Sequence, residues 1–300
     1  MTSIGLDRAR GTPSALGRIA ATASRQTAAA VSALLRQPAL LFAWTVMALV
    51  ILATFWPQLF TDCDPLRGVA KLRLQPPGAE FWFGTDQMGR DLFARVVYGT
   101  GESVRAVVIA VLVGLFVGSG IGLLAGYVGR WVDDVLMRVM DVFLAVPTLL
   151  IALAVINALG FGTINIAIAV GIGTIAIFAR VMRSEVLKVR SLPYIEATSF
   201  AGIGRFRLLT RHLVPNAAGP VLVLATLELG MAILSVSALS FLGFGAPPPN
   251  PEWGLLVAGG RDYMRTAWWL TLLPGIVIVI TVVSANYIAR SFDRQQSETF

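Results

Sequence analysis

Residues Tyr194–Asn216, YIEATSFAGIGRFRLLTRHLVPN, form a polar, Arg-rich island between two long apolar runs. Just upstream, Ser191-Leu192-Pro193 predicts a helix start, because Ser caps helices and Pro is tolerated in a first turn. Gly202-Ile203-Gly204 breaks that helix, and Arg205 to Leu213 resumes it before Pro215. Phe200, Ile203, Phe206, Leu209 and Leu213 are spaced by 3, 3, 3 and 4 residues, an apolar stripe, while Arg205, Arg207 and Arg211 lie off it. A helix–Gly–helix element of this kind suits docking to a partner. The competing reading is an amphipathic helix lying on lipid headgroups.

The flanks of the island point to a membrane. Hydrophobic residues make up 56% of the 300 residues and charged residues only 14%, where soluble chains carry roughly 25% charge. Uncharged runs occupy 37–61, 106–129, 142–179, 229–251 and 266–289, each long enough to span a bilayer. The 142–179 run holds 38 residues, about twice the ~20 that one span needs. Leu159-Gly160-Phe161-Gly162-Thr163 supplies a turn near its middle. The expectation is therefore an all-α polytopic membrane protein with six spans, near 39–60, 104–127, 136–158, 164–183, 217–243 and 268–289. Pro147 is expected to kink the third.

The net charge of +7 does not imply nucleic acid. Twenty-two of the 24 basic residues are Arg, and most flank spans. With the N-terminus inside, inner segments hold 16 Lys and Arg and outer segments 8, which favours cytoplasmic N- and C-termini. The 39–60 run is too long for a signal-peptide core, and no small-residue cleavage site follows it. Domain expectations are a cytoplasmic tail (1–38), the first span (39–60), an extracytoplasmic loop (61–103), a five-helix core (104–290) with a cytoplasmic loop at 184–216, and a short tail (291–300).

Chemistry-bearing residues are sparse. Cys63 is the single cysteine and His212 the single histidine, so neither a disulfide nor a multi-histidine metal site is expected. Lys71 and Lys188 are the two lysines and neither follows Gly, so no phosphate-binding GxxxxGK[ST] loop exists. No catalytic residues are assigned. Glu228 lies about eleven residues into the fifth span, ~17 Å deep at ~1.5 Å per residue. Such a carboxylate is costly in lipid and needs a cavity or a partner. Either it lines a translocation path and meets a cationic group, such as a peptide N-terminus, or it is protonated or hydrogen-bonded between helices. Gly114, Gly118, Gly122 and Gly126 share one helix face, a ladder for close helix packing. Asp133, Asp134, Arg138 and Asp141 sit on the next turn, where Arg138 and Asp141, three apart, can neutralise each other. In the first outer loop, Asp91 and Arg95 stand at i,i+4. Trp253, Trp268 and Trp269 fit an interfacial aromatic belt.

Four stretches carry a family resemblance. Glu196, Ala197, Gly202, Leu213 and Pro215 resemble the EAA coupling segment of bacterial ABC importer permeases, with Thr198 where Ala is usual. Gly84-Thr85-Asp86-Gln87-Met88-Gly89-Arg90-Asp91 resembles the GTDxxGRD motif of the dipeptide/oligopeptide/nickel subfamily, in its C-type subunit. Residues 126–141 are similar to its GYxGGxxDxxxMRxxD pattern, with Arg130 replacing the second Gly, and residues 240–254 to its SFLGLGxxPPxPEWG run.

The resemblance implies a type I ABC importer permease in the bacterial inner membrane, for di- or oligopeptides, with nickel chelates or another small solute as alternatives. It implies that Glu196, Ala197, Gly202, Arg205, Arg207, Arg211, Leu213 and Pro215 form the ATPase-coupling surface. It further implies a second homologous permease, two ATPase subunits, and an extracytoplasmic solute-binding protein. ATP and Mg would be bound by the ATPases and no cofactor by this chain. Gly84, Asp86, Gly89, Arg90 and Asp91 either brace the outer face or contact the binding protein. A stand-alone secondary transporter using Glu228 as a proton relay is the alternative mechanism. It leaves the helix–Gly–helix island unexplained, and no inverted repeat supports it.

Overall fold

The computed structural model describes residues 38–195 and 204–297. Helices dominate, and the lone β feature among the described residues is an isolated bridge between Thr85 and Asp91. The elements that build the site belong to one compact unit that begins at Ala43. Five helices are long and apolar enough to cross a membrane: α1 (Pro38–Phe55), α2 (Leu92–Val128), α5 (Thr163–Arg190), α6 (Phe206–Phe244) and α8 (Trp269–Ser297, apolar to Ser291). A sixth crossing is split into α3 (Arg130–Ala145) and α4 (Thr148–Leu159), bent by 96°. A short helix, α7 (Trp253–Gly260), precedes α8.

The third crossing is thus broken where a kink was expected. Pro147 has no N–H to donate, and the residue before a proline is driven out of the helical region. Val146 accordingly takes φ −100° and ψ 131°. The twelve-residue α4 rises only ~18 Å at ~1.5 Å per residue, too short to cross alone. Two other helices outrun their apolar cores. The second begins at Leu92, not near 104, because Asp91 caps it by accepting from the Phe93 N–H at 3.0 Å. The fifth begins with the Arg205–Leu208 turn and continues without a break through Pro215.

α5 is the hub. It packs against α2, α3, α4 and α6. The contact with α2 uses the glycine ladder. A Cβ on Gly122 would strike the Ala179 carbonyl, and one on Gly118 would lie 2.7 Å from Phe178 Cβ. In a bilayer, lipid tails are as apolar as the side chains, so association rests on close van der Waals packing. The ladder lets the two backbones approach where any larger residue would hold them apart. Phe178 and Ala179 are fully buried as a result.

Two of the three tryptophans expected at the lipid interface are core residues instead. Trp253 is 1% exposed and donates from its indole to the Val96 carbonyl at 3.1 Å. Trp269 is also buried and donates to the Thr85 carbonyl at 3.3 Å. Each indole has found a backbone acceptor inside the protein, so neither needs the polar interface. Trp268 alone of the three is exposed.

Candidate functional site: the coupling segment, its struts and the Glu228 cavity

The expected coupling residues divide between described and undescribed positions. Glu196, Ala197 and Gly202 lie outside the described residues, as does the side chain of Arg205. Both flanks of that segment are anchored. On one side, Ser191 closes α5 rather than opening a new helix, since its backbone N–H reaches the Leu187 carbonyl and its hydroxyl donates to the Lys188 carbonyl at 2.8 Å. A helical turn then begins at Pro193, and Ile195 is buried in the main core. On the other side, Leu208 and Leu213 enter the same core.

That pairing corrects the expected stripe. Residues Leu209–Leu213 form a π turn, in which hydrogen bonds close i→i+5 and the turn is wider than in an α-helix. The wider turn brings Leu208 and Leu213, five apart, to the buried face and carries Phe206 outward, where it is 79% exposed. Arg207, Arg211 and Pro215 are exposed with it. Pro215 cannot donate to the preceding turn, and the Asn216 side chain donates to the His212 carbonyl at 2.6 Å. The outcome is an aromatic and cationic surface at the end of a helix whose other face is fixed.

Ion pairs lock the neighbouring turn to α5. Arg183 grips Asp133 through Nε to Oδ1 at 2.5 Å and Nη2 to Oδ2 at 2.6 Å. Arg180 bonds Asp141 at 2.5 Å. Arg190 donates to the Gly126 and Tyr127 carbonyls at 3.3 and 3.1 Å. The expected local pair between Arg138 and Asp141 is therefore replaced by one across helices. Asp133 and Asp141 lie eight residues apart on α3, close to two turns, so both face the same partner helix.

Glu228 is half-buried on α6 and lines a cavity of about 110 Å³ with Thr148, Ala152, Thr174, Met231 and Ser235. The cavity lies beside the α3–α4 break, since Thr148 opens α4. Its lining is mostly apolar, with Leu149, Val170 and Ile177 among it, and the hydroxyls of Thr148, Thr174 and Ser235 are the polar groups beside the one carboxyl.

At the opposite end of α2, the 84–91 motif forms a knot. Gly84 and Gly89 both take φ +74°, and a Cβ on Gly84 would lie 2.8 Å from the Trp269 indole nitrogen. Asp86 is buried. It accepts from the Met88 and Arg90 N–H groups at 2.8 and 3.0 Å and from Arg90 Nε at 2.6 Å. The side chain of Arg95 does not reach back to Asp91. It lies 3.5 Å from Asp86 and donates to the Pro65 carbonyl at 3.0 Å and to Pro249 at 3.4 Å. Asp91 is spent on capping α2, and burial pushes its carboxyl above the usual range despite that cap.

Sequence reasoning missed Glu252. It is 1% exposed, caps α7 by accepting from the Gly254 and Leu255 N–H groups at 3.0 and 3.1 Å, and has the Ser103 hydroxyl beside it. Burial drives its carboxyl upward. The available signal was an acid just before an apolar helix, in the order Pro-Glu-Trp.

Known proteins resemble this chain in sequence and fold. Residues 118–298 match the family described as "Binding-protein-dependent transport system inner membrane component". The chain belongs to that family. This permease is 40% identical over 243 residues to the dipeptide transport system permease protein DppC of Alkalihalophilus pseudofirmus, covering 81% of this chain and 80% of the relative. It is 37% identical over 253 residues to the glutathione transport system permease protein GsiD of Pectobacterium atrosepticum, covering 84% of each. Among solved structures, the inward-facing MetNI methionine ABC transporter superposes with a TM-score of 0.52 at 17% identity, over 66% of the permease and 96% of that chain. The all-α, multi-pass fold is that of ABC importer permeases, and the chain is a transport permease of a binding-protein-dependent importer.

Proposed function

We propose that this permease imports di- or oligopeptides as one half of a translocation path, completed by a second homologous permease. Two ATPase subunits bind ATP and Mg and perform all hydrolysis, and this chain carries no catalysis. A solute-binding protein delivers substrate at the extracytoplasmic face, and both termini are cytoplasmic. The observation that carries the coupling assignment is the fixed pair of flanks. Ile195 on one side and Leu208 and Leu213 on the other are buried in one core, so a force on residues 196–203 is transmitted to α5 and α6 together. The exposed Phe206, Arg207 and Arg211 add an apolar and cationic contact beside the segment.

Peptide cargo is supported by the relatives named for dipeptide and glutathione transport. Glu228, the one carboxyl in a small, mostly apolar cavity at the α4–α5–α6 junction, suits a substrate ammonium. ATP binding closes the ATPases, the 194–215 segment moves with them, and the paired permeases open outward. Such a shift requires ATP to bind the two states with different free energies. The test is affinity purification from membranes in mild detergent, with mass spectrometry of the co-purifying chains and uptake of labelled dipeptide by the same cells. Recovery of two ATPases and a second permease with ATP-dependent uptake is expected. Recovery of this chain alone, after crosslinking, contradicts the reading.

A further inference from the structure

The knot at the start of α2 has a charge imbalance that the importer reading does not use. Asp86, Arg90 and Arg95 are all buried, at 4%, 6% and 4% exposure. One carboxylate therefore faces two guanidiniums, an excess of one positive charge. Asp86 spends Oδ1 on two backbone N–H groups and Oδ2 on Arg90 Nε. Arg95 Nε sits 3.5 Å from Oδ2 with no hydrogen-bond partner. Among the described residues, the terminal nitrogens of Arg90 have no hydrogen-bond acceptor either. A buried charge without a counter-charge is strongly disfavoured.

Both arginines line the same cavity, of about 140 Å³. Asp86, already engaged by Arg90, and Gln87 also line it, and the remaining wall is mostly aliphatic, from Leu92, Leu255, Leu256, Leu270 and the 56% exposed Met88. Arg95 spends its terminal nitrogens on the Pro65 and Pro249 carbonyls and keeps Nε free; that donor, the terminal nitrogens of Arg90 and the aliphatic wall describe a complement to a short-chain carboxylate. Guanidinium groups pair with the planar carboxylate through parallel N–H donors.

We propose that this cavity is a binding site for a small aliphatic carboxylate, held by Arg90 and Arg95. The bound anion neutralises the knot and ties the 84–95 segment to α7.

The test uses the full chain in lipid nanodiscs at pH 7 and constant sodium, with gluconate exchanged for acetate. Gluconate is too bulky for the cavity and sets the baseline. A ligand that binds only the folded state raises stability saturably, so the unfolding midpoint is expected to climb by several degrees with acetate and then level off. Gly259 lines the cavity, and a Cβ there meets only Gln87 Nε2, at 3.9 Å. Gly259→Asp is expected to raise the midpoint in gluconate and to abolish the acetate response, by supplying the carboxylate covalently. Arg90→Gln is expected to abolish the response as well. Equal midpoints in acetate and gluconate, or a Gly259→Asp protein with the full wild-type acetate response, would overturn the proposal.

Discussion

Arg183 on α5 and Asp133 on α3, fifty residues apart in sequence, meet in a two-pronged ion pair at 2.5 and 2.6 Å. The pair lies about two turns from the end of α5, where the chain enters the proposed coupling segment. It joins the broken third crossing to α5, the helix proposed to receive the motion. Arg183→Ala is expected to leave ATP hydrolysis in place and lower uptake about fivefold, the equivalent of ~1 kcal/mol. The double charge swap, Asp133→Arg with Arg183→Asp, is expected to recover part of the loss. A double-mutant cycle on the unfolding midpoint should give a coupling near ~1 kcal/mol. Additive effects of the single changes would show that the pair carries no coupling.

The glycine ladder makes a prediction with an internal control. Gly122→Leu drives a side chain into the Ala179 carbonyl, whereas a Cβ at Gly120 meets nothing within 4 Å. Overpacking costs roughly 1–3 kcal/mol, and here the obstacle is backbone. Gly122→Leu is expected to lower the unfolding midpoint clearly and Gly120→Leu to leave it nearly unchanged. Comparable losses at both sites would mean that intrinsic helix properties, not the α2–α5 contact, dominate.

How much of this was legible beforehand follows from the range over which each signal acts. Hydropathy reports the medium, so the five long spans and the turn at 159–163 were visible in the chain. Spacing within one helix is equally local, which is why Asp141 seemed matched to Arg138. Its partner is Arg180, because α3 packs along α5 and brings the two side chains together across the helix pair. No one-dimensional spacing encodes that meeting. The tryptophans misled for a related reason. An indole suits the membrane interface and a buried site with one acceptor equally well, and only the fold supplies the Val96 and Thr85 carbonyls. The π turn at Leu209–Leu213 shifted the stripe by changing the period on which the stripe was read. The coupling motif itself, at Glu196, Ala197 and Gly202, was legible as a pattern while lying outside the described residues.

Glu252 predicts a pH dependence with a definite sign. Its folded pKa is raised above the ordinary 4.5 by burial. Below 4.5 both folded and unfolded chains hold the proton, and the stability is fully present. As pH rises past 4.5 the unfolded chain ionises first, so stability falls until the raised folded pKa is reached. Asp91, also raised, acts in the same direction. Glu252→Gln keeps the shape and one acceptor. Its unfolding midpoint is expected to fall less steeply than wild type between pH 4.5 and 8. Parallel curves for the two proteins would remove Glu252 as the source of the slope.

Glu228→Gln separates a cargo contact from a packing role. The substitution keeps the volume and removes the charge from the cavity. Uptake of a dipeptide with a free amino terminus is expected to fall more than uptake of its N-acetylated form, as competition assays would show. Equal losses for both peptides point instead to a carboxyl that serves helix packing alone.

The central claim, that the end of α6 beside residues 196–203 docks on an ATPase, is tested most directly by photocrosslinking from Phe206. This side chain is 79% exposed, and the native Cys63, also exposed, is first replaced by Ser. A Phe206→Cys protein labelled with benzophenone maleimide and illuminated in membranes is predicted to yield one dominant adduct, permease joined to an ATPase subunit, with a yield that changes when ATP is added. Adducts to lipid or to another copy of this chain, with no ATPase adduct from an assembled complex, would contradict the account.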